Sequence, residues 1–155
     1  MTIVPLKACL KKGLKNEKIT LYYLNKNEYQ DDKFILYKDP GNPVDFRNDK
    51  IIGELKSRSC KYEKFRETMF GYNKLKYLIK NNDQKEWKFY FLFTDGLYVW
   101  NYKKGEYSIR DYFHTEKQEY EHYVYVDIKY LVKITEEITF NSFIPFDWES
   151  YVSQN

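Results

Sequence analysis

The sequence is short of several residue types, and each shortage excludes a class of protein. Its two cysteines, Cys9 and Cys60, lie far apart, so neither a disulfide framework nor a paired zinc-ligand spacing is present, and a reducing, intracellular compartment is expected. The two histidines, His114 and His122, lack partners at metal-ligand spacing and are expected at the surface. No hydrophobic run approaches the roughly 20 residues of a membrane helix. Lysines also interrupt the N-terminal segment where a signal peptide needs an apolar core, so we expect no membrane association.

Glycine is scarce as well, and the six glycines fit no known phosphate-binding or nucleophile motif. They form neither a glycine-rich phosphate loop nor the Gly-x-Ser-x-Gly turn of serine hydrolases. Internal repeats and low-complexity linkers are also lacking. A chain of 155 residues is long enough for one substantial core, so a single domain over residues 1–155 is predicted.

Aromatic residues are abundant, at 20% of the chain, and hydrophobic periodicity predicts both strands and helices. Strands are predicted at 19–24, 33–38, 44–46, 51–56, 87–93, 97–102, 107–113 and 123–134. Helices are predicted at 3–14 and 62–79, a turn at 39–43, and an aromatic tail at 140–151 that docks on the body. The first two strands are expected to pair as a hairpin. The fold class is therefore α/β or α+β, with a mixed central sheet, a flanking helix and extra C-terminal β-hairpins.

The most informative stretch is a predicted hairpin between Asn42 and Arg58. Side chains two apart on a strand share a face, so Glu54 and Lys56 point the same way, and the hairpin places Asp45 opposite them. Two carboxylates at short range repel each other without a cation, and carboxylate oxygens are ligands that Mg²⁺ prefers. A neighbouring lysine can orient a water molecule, so the pattern indicates metal-assisted phosphodiester hydrolysis. The competing interpretation is a surface salt bridge on an edge hairpin.

Acid-x-Lys pairs also occur at four other places, with Asp127/Lys129 as the nearest rival. The pair Glu54/Lys56 differs because an aspartate lies one hairpin upstream, an apolar strand surrounds it and an amphipathic helix is predicted after it.

Asp45, eight residues, and then Glu54-Leu55-Lys56 resemble the motif of the PD-(D/E)xK nuclease superfamily, whose members are restriction-endonuclease-like. The resemblance covers about residues 34–102, and the segment 91–102 is similar to the strand-turn-strand after the helix in such nucleases. Val44 stands where the family name has proline. Membership would imply a Mg²⁺-dependent nuclease, with Mn²⁺ able to substitute, in which Lys56 is catalytic.

The resemblance also implies metal ligands and a further acidic residue. Asp45, Glu54 and the Leu55 carbonyl would hold the metal. The family often has an acid on a helix before the first strand, and Glu17 and Glu28 are the two candidates in this chain.

Positive charge gathers around the candidate site, since residues 50–80 contain seven lysines and two arginines against three glutamates. A nucleic-acid partner requires such charge, and DNA is the expected one. The predicted phosphate contacts are Ser57, Arg58, Lys61, Lys64 and Lys74. Because one small domain lacks an evident base-reading module, a homodimer is one source of specificity that we consider.

Two other functions remain open on the sequence alone. The protein could be a nuclease-like fold that binds nucleic acid without cutting it. It could instead be an aromatic-rich interaction protein, viral or accessory, whose acidic C-terminal half binds a protein partner.

Overall fold

The computed structural model describes residues 6–36, 44–81 and 84–142, which form two β-sheets and two α-helices. In chain order the elements are α1 (Leu6–Asn27), β1 (Ile35–Leu36), β2 (Phe46–Arg47), β3 (Ile51–Ser57), β4 (Glu67–Gly71), α2 (Tyr72–Lys80), β5 (Glu86–Phe93), β6 (Gly96–Asn101), β7 (Tyr107–His114), β8 (Glu119–Asp127) and β9 (Val132–Thr135). A short 3-10 helix, Ile128–Tyr130, separates β8 from β9. Neither α1 nor α2 combines the length and the apolarity that a membrane crossing needs.

Six strands form one mixed sheet in the order β1-β2-β3-β5-β6-β9. β3 and β5 run parallel, with Glu54 opposite Phe89, whereas the other neighbouring strands of this sheet run antiparallel. A second, antiparallel sheet has the order β4-β8-β7. This arrangement confirms the predicted fold class, a mixed central sheet with flanking helices and an additional C-terminal hairpin.

The central strand β5 is covered on both faces, which is why its sequence is a nearly continuous apolar run. On one face Phe89 and Phe91 pack in a cluster that includes Trp100 and, from the second sheet, Phe70. On the other face Tyr90 and Leu92 pack in a second cluster, which contains Leu21 and Leu24 of α1. The helix α1 therefore covers the opposite face of the sheet from α2, whose Leu75 belongs to the first cluster.

The strand predicted at 19–24 is wrong, because these residues form the second half of α1. Asn16, Ile19, Thr20 and Leu24 are all buried, and their spacing of three and four places them on one helical face. The predicted hairpin with 33–38 is therefore wrong too, since β1 pairs with β2 instead. The helix predicted at 3–14 ends too early, because α1 continues to Asn27, and Gly13 lies inside α1 rather than near its end.

The helix predicted at 62–79 is wrong in its first half. Residues 58–66 are irregular, β4 follows, and only Tyr72–Lys80 is helical. Thr68 and Phe70 are buried and alternate with more exposed neighbours, which is the period of a strand. Gly71 has extended backbone angles (φ −64°, ψ 137°), and α2 begins directly after it.

The long strand predicted at 123–134 is interrupted, so that its two parts join different sheets. β8 ends at Asp127, whose side chain accepts a hydrogen bond of 2.9 Å from the backbone N–H of Lys129. The 3-10 helix that this contact caps redirects the chain, and β9 then pairs with β6.

The hairpin predicted around the candidate site is confirmed by β2 and β3, and β5, β6 and β7 are close to their predicted ranges. The turn predicted at 39–43 lies outside the described residues, as does most of the aromatic tail. Within that tail, Phe140 is described, and its backbone N–H donates to the Phe93 carbonyl at 2.8 Å.

Candidate active site

The β2–β3 hairpin holds the Asp45 carboxylate against the backbone of β3. The Asp45 N–H donates to the Gly53 carbonyl at 3.1 Å, and its Oδ2 accepts from the Leu55 N–H at 2.7 Å. The turn is closed by Asn48, whose N–H donates to the Ile51 carbonyl at 3.0 Å. Asp45 is therefore fixed on both its backbone and its side chain, next to the strand that carries Glu54.

Gly53 allows the two strands of this hairpin to approach closely. A Cβ atom at position 53 would lie 2.2 Å from Cε2 of Phe46, a side chain that is completely buried. The Phe46 ring thus occupies the space that a side chain at position 53 would need. This contact fixes the position of β2 relative to β3 one residue before Glu54.

Glu54 is a buried carboxylate between two lysines. Only 2% of it is exposed, and its Oε1 lies 3.5 Å from Lys56 Nζ and 3.4 Å from Lys74 Nζ. Burial, followed by the charge of Asp45, raises the pKa of Glu54 to about 8 even though both lysines lower it. Its second oxygen, Oε2, is buried without a hydrogen-bond partner in the described part of the chain. Among the described residues it is the one buried carboxylate oxygen without a hydrogen-bond partner, so it could accept an additional ligand.

Glu17 of α1 adds a third carboxyl group to this cluster. Burial raises the pKa of Glu17 to about 9, and the charge of Asp45, a side-chain hydrogen bond with Asp45 and the charge of Glu54 add to the effect. Lys56 opposes it. Of the two predicted helix acids, Glu17 is therefore the one that meets the site. The other, Glu28, has its pKa raised by burial and lowered by Lys88 instead.

The face of α1 that packs against β3 carries further buried polar groups. Asn16 Nδ2 donates to Ser57 Oγ at 3.0 Å, so one predicted phosphate contact is already bonded within the protein. Both Asn16 and Thr20 are fully buried, and Asn16 Oδ1 and Thr20 Oγ1 lack hydrogen-bond partners among the described residues. In the sequence, Asn16, Glu17 and Thr20 would indicate this polar face by their helical spacing, but only if residues 19–24 are assigned to a helix.

The donor set fits a small divalent cation, although its side chains are not arranged around a common point. No group of three or more His, Cys, Asp or Glu residues in the described ranges is positioned to hold a metal ion. A side-chain hydrogen bond with Asp45 is instead one of the causes that raise the pKa of Glu17. Carboxylate oxygens are hard ligands of the kind that Mg²⁺ takes, and Glu54 Oε2 lacks a donor. Asp45, Glu54 and the partly exposed Glu17 are the residues that could hold the cation.

Two of the predicted phosphate contacts lie close to the cluster but are bonded within the protein. Lys74 binds Glu54 and is 19% exposed. The Arg58 guanidinium donates to the Met69 carbonyl, to the Ser57 carbonyl at 3.3 Å and to Thr68 Oγ1 at 3.5 Å. Burial lowers the pKa of Arg58, and these bonds connect the end of β3 to β4.

Lys61 and Lys64 do not lie in the first turns of a helix, as the sequence had predicted. They are exposed in the irregular segment 58–66, where the Lys64 N–H donates to the Lys61 carbonyl at 3.0 Å. Their ammonium groups are thus presented on a loop that follows the strand of Lys56.

Comparisons with protein-family models, with curated proteins and with solved structures found no match. The function of this site has to be inferred from its own geometry.

Proposed function

We propose that this protein is a metal-dependent nuclease, of the PD-(D/E)xK type, that hydrolyses phosphodiester bonds of nucleic acid, with DNA as the expected substrate. The observation that carries the proposal is the buried Glu54 carboxylate, which lies beside Lys56, feels the charge of Asp45 and has one oxygen without a hydrogen-bond partner among the described residues. Strongly shifted pKa values are enriched at functional sites, because catalytic and ligand-binding groups need pKa values matched to their task.

The balance of charge supports a dication at this position. Near neutral pH the raised pKa values of Glu17 and Glu54 keep these groups largely protonated in the metal-free protein. If a cation displaced their protons, the three carboxylates would exceed the two ammonium groups of Lys56 and Lys74 by one negative charge. A divalent cation reverses the sign of the site, which then attracts a phosphodiester. Glu17 also stands on a helix before the first strand, where the resembled superfamily often has an acid.

The residues of the cluster have distinct proposed roles. Asp45 and Glu54, with the Leu55 carbonyl, would hold Mg²⁺ or Mn²⁺, and such a cation would supply Lewis-acid polarisation of the phosphate and would lower the pKa of a water molecule. The Leu55 N–H orients the Asp45 carboxylate before any ligand arrives. Lys74 pairs with Glu54 Oε1 and so leaves Oε2 as the oxygen that would bind a cation.

Lys56 is proposed as the catalytic lysine. Its side chain is 31% exposed, so the ammonium group reaches both Glu54 and the solvent from which water and substrate come. It can therefore orient the attacking water while it remains paired. Phosphates flanking the cut would be bound by the exposed Lys61 and Lys64. Ser57, Arg58 and Lys74 would contribute only by exchanging bonds that they make within the protein. Cys60 is a free cysteine, which is consistent with the proposed intracellular site of action.

The test is a cleavage assay with matched variants. Purified protein, Lys56→Ala, Asp45→Asn and the control Lys129→Ala are incubated with plasmid, linear duplex, single-stranded DNA and RNA in Mg²⁺, Mn²⁺ or EDTA. The control removes Lys129, the lysine of the rival pair Asp127/Lys129. Lys129 lies in the 3-10 helix. We expect metal-dependent cleavage by the wild type and the control, and none by the other two variants.

Measuring substrate binding by the same variants distinguishes a loss of catalysis from a loss of binding. Lys56→Ala should still bind the substrate, because it loses one cation among several. Cleavage that persists in Lys56→Ala would refute the assignment of the catalytic lysine. Binding without cleavage on any substrate would favour the non-catalytic nucleic-acid-binding protein instead.

A further inference from the structure

A large cavity lies directly beside the proposed catalytic lysine. It has a volume of about 710 Å³ and extends from Lys56 and Arg58, at the end of β3, along the whole of β4 to Tyr123 and Tyr125 of β8. β4 is an edge strand of its sheet, and all five of its residues line the cavity. Small-ligand pockets occupy roughly 300 to 1,000 Å³, and the cavity falls within that range.

The walls of the cavity combine aromatic rings with positive charge. Its aromatic lining residues are Tyr62, Phe65, Phe70, Phe93, Tyr123 and Tyr125. Four cationic residues, Lys56, Arg58, Lys61 and Arg66, also line it, whereas Glu67 is the one acidic residue in the lining. The Glu67 carboxylate is already paired with Arg110 at 2.5 Å. Phe70 and Phe93 are buried in the core and Tyr62 stacks on Tyr98, so a base could stack only on the more exposed rings of the lining. Exposed rings for base stacking together with cations for the phosphate backbone characterise sites for single-stranded nucleic acid.

Phe65 is the ring in this lining that is most open to solvent. It is 61% exposed, which is unusual for a phenylalanine, and it lies on the irregular segment after Arg58. Lys64 Nζ lies 6.0 Å from the centre of the Phe65 ring. A base stacked on this ring would therefore have an ammonium group within reach of its own phosphate.

We propose that this cavity receives an unpaired nucleobase adjacent to the phosphate held at Lys56, so that the substrate is single-stranded nucleic acid. The inference rests on the proposed function, since it specifies the substrate of the same site. A base within a duplex is paired and stacked, and it cannot enter a cavity without being extruded at a cost in free energy. Stacking on aromatic rings is available to every base, so the subsite selects strandedness rather than sequence.

The test measures binding in the absence of metal, where cleavage does not interfere. A fluorescently labelled oligo(dT) of about 12 nucleotides, within the site sizes usual for single-strand binding, is titrated in EDTA with wild type, Phe65→Ala and Phe113→Ala. Phe113 is the matched control, because it is also exposed, at 41%, but lies on β7 and does not line the cavity. Phe65→Trp tests whether another stacking ring restores binding.

Phe65→Ala should weaken binding of the single strand by about 5- to 150-fold, the factor that corresponds to the loss of one stacked base. Phe113→Ala should bind like the wild type, and Phe65→Trp should recover most of the affinity. An oligonucleotide that lacks one base at the bound position should weaken wild-type binding by a similar factor, with little further loss in Phe65→Ala. A blunt duplex should bind more weakly than the single strand, and Phe65→Ala should not change its affinity.

Three results would overturn the subsite: equal single-strand affinity of wild type and Phe65→Ala, a duplex bound as tightly as the single strand, or no binding of any oligonucleotide. The cleavage assay keeps this failure separate from that of the nuclease. Duplex cleavage that is lost in Lys56→Ala and unchanged in Phe65→Ala would retain the nuclease and remove the base subsite. Single-strand binding that depends on Phe65, without any metal-dependent cleavage, would retain the base subsite and refute the nuclease.

Discussion

Replacing Glu17 by glutamine should stabilise the metal-free protein, and the gain should increase with pH. The pKa of Glu17 rises from 4.5 to about 9 on folding. Above pH 4.5 the carboxyl group ionises in the unfolded state but keeps its proton in the folded state. Ionisation therefore stabilises the unfolded state alone and lowers the free energy of unfolding. Stability is therefore lost progressively between pH 4.5 and about 9. Glutamine resembles the protonated acid and can keep the hydrogen bond to Asp45, but it carries no such penalty.

The size of the effect follows from the difference in pKa. One unit corresponds to about 1.4 kcal/mol, which sets an upper limit of about 5 kcal/mol at pH 8 and less than about 1 kcal/mol at pH 5. Glu17 is partly exposed, so solvent screens the interaction and we expect about 1 to 3 kcal/mol at pH 8. For a chain of this size that corresponds to a rise in Tm of roughly 2 to 12 °C.

The assay is urea and thermal unfolding of wild type and Glu17→Gln in EDTA at pH 5 and pH 8. Glu119→Gln, at an exposed glutamate at the start of β8, serves as the matched control and should leave the unfolding free energy within about 0.5 kcal/mol of wild type at both pH values. A difference between Glu17→Gln and wild type that is the same at pH 5 and pH 8, or a variant that is less stable at pH 8, would refute the reasoning.

Two further predictions concern the hairpin and the cation. Gly53→Ala forces a Cβ against the buried Phe46 ring and should cost about 1 to 3 kcal/mol, or roughly 2 to 12 °C in Tm by circular dichroism. Gly13→Ala, where a Cβ meets nothing within 4 Å, is its control, and equal Tm values for the two variants would contradict the packing argument. At a hundredfold excess over its Kd, Mg²⁺ should stabilise the wild type by about 2.7 kcal/mol, reversibly with EDTA, and an equal response in Asp45→Asn would exclude Asp45 as a ligand.

The hairpin that carries the candidate site could be predicted because its determinants are local. Residues on either side of the Asn48-Asp49 turn alternate with a period of two, and that alternation alone places Asp45 near Glu54 and Lys56. The mixed sheet followed from the continuous apolar run of β5 and the Thr94-Asp95 turn to β6. These parts depend on neighbours within a few residues.

The rest of the site depends on contacts that are distant in sequence. Residues 19–24 contain β-branched and aromatic side chains that favour a strand, but burial of Leu21 and Leu24 against the sheet selects a helix and thereby brings Glu17 to Asp45. The spacing of Phe65, Met69 and Tyr72 imitates a helix, whereas the pairing of Met69 with Tyr125 of β8 makes this segment a strand. For that reason neither the cavity nor the contact of Lys74 with Glu54 could be read from the pattern.

The parallel pairing of β3 with β5 has a consequence for the order in which the protein assembles. The β2–β3 hairpin closes over a few residues, so Asp45 and Glu54 can meet early in folding. β5 joins β3 only after a crossover that contains β4 and α2, whose loop-closure entropy must first be offset by packing. Lys74 lies in α2 and is therefore part of that crossover. A hairpin that forms before the crossover packs thus carries Glu54 without Lys74, and completing the sheet is the step that brings this second ammonium group to the Glu54 carboxylate.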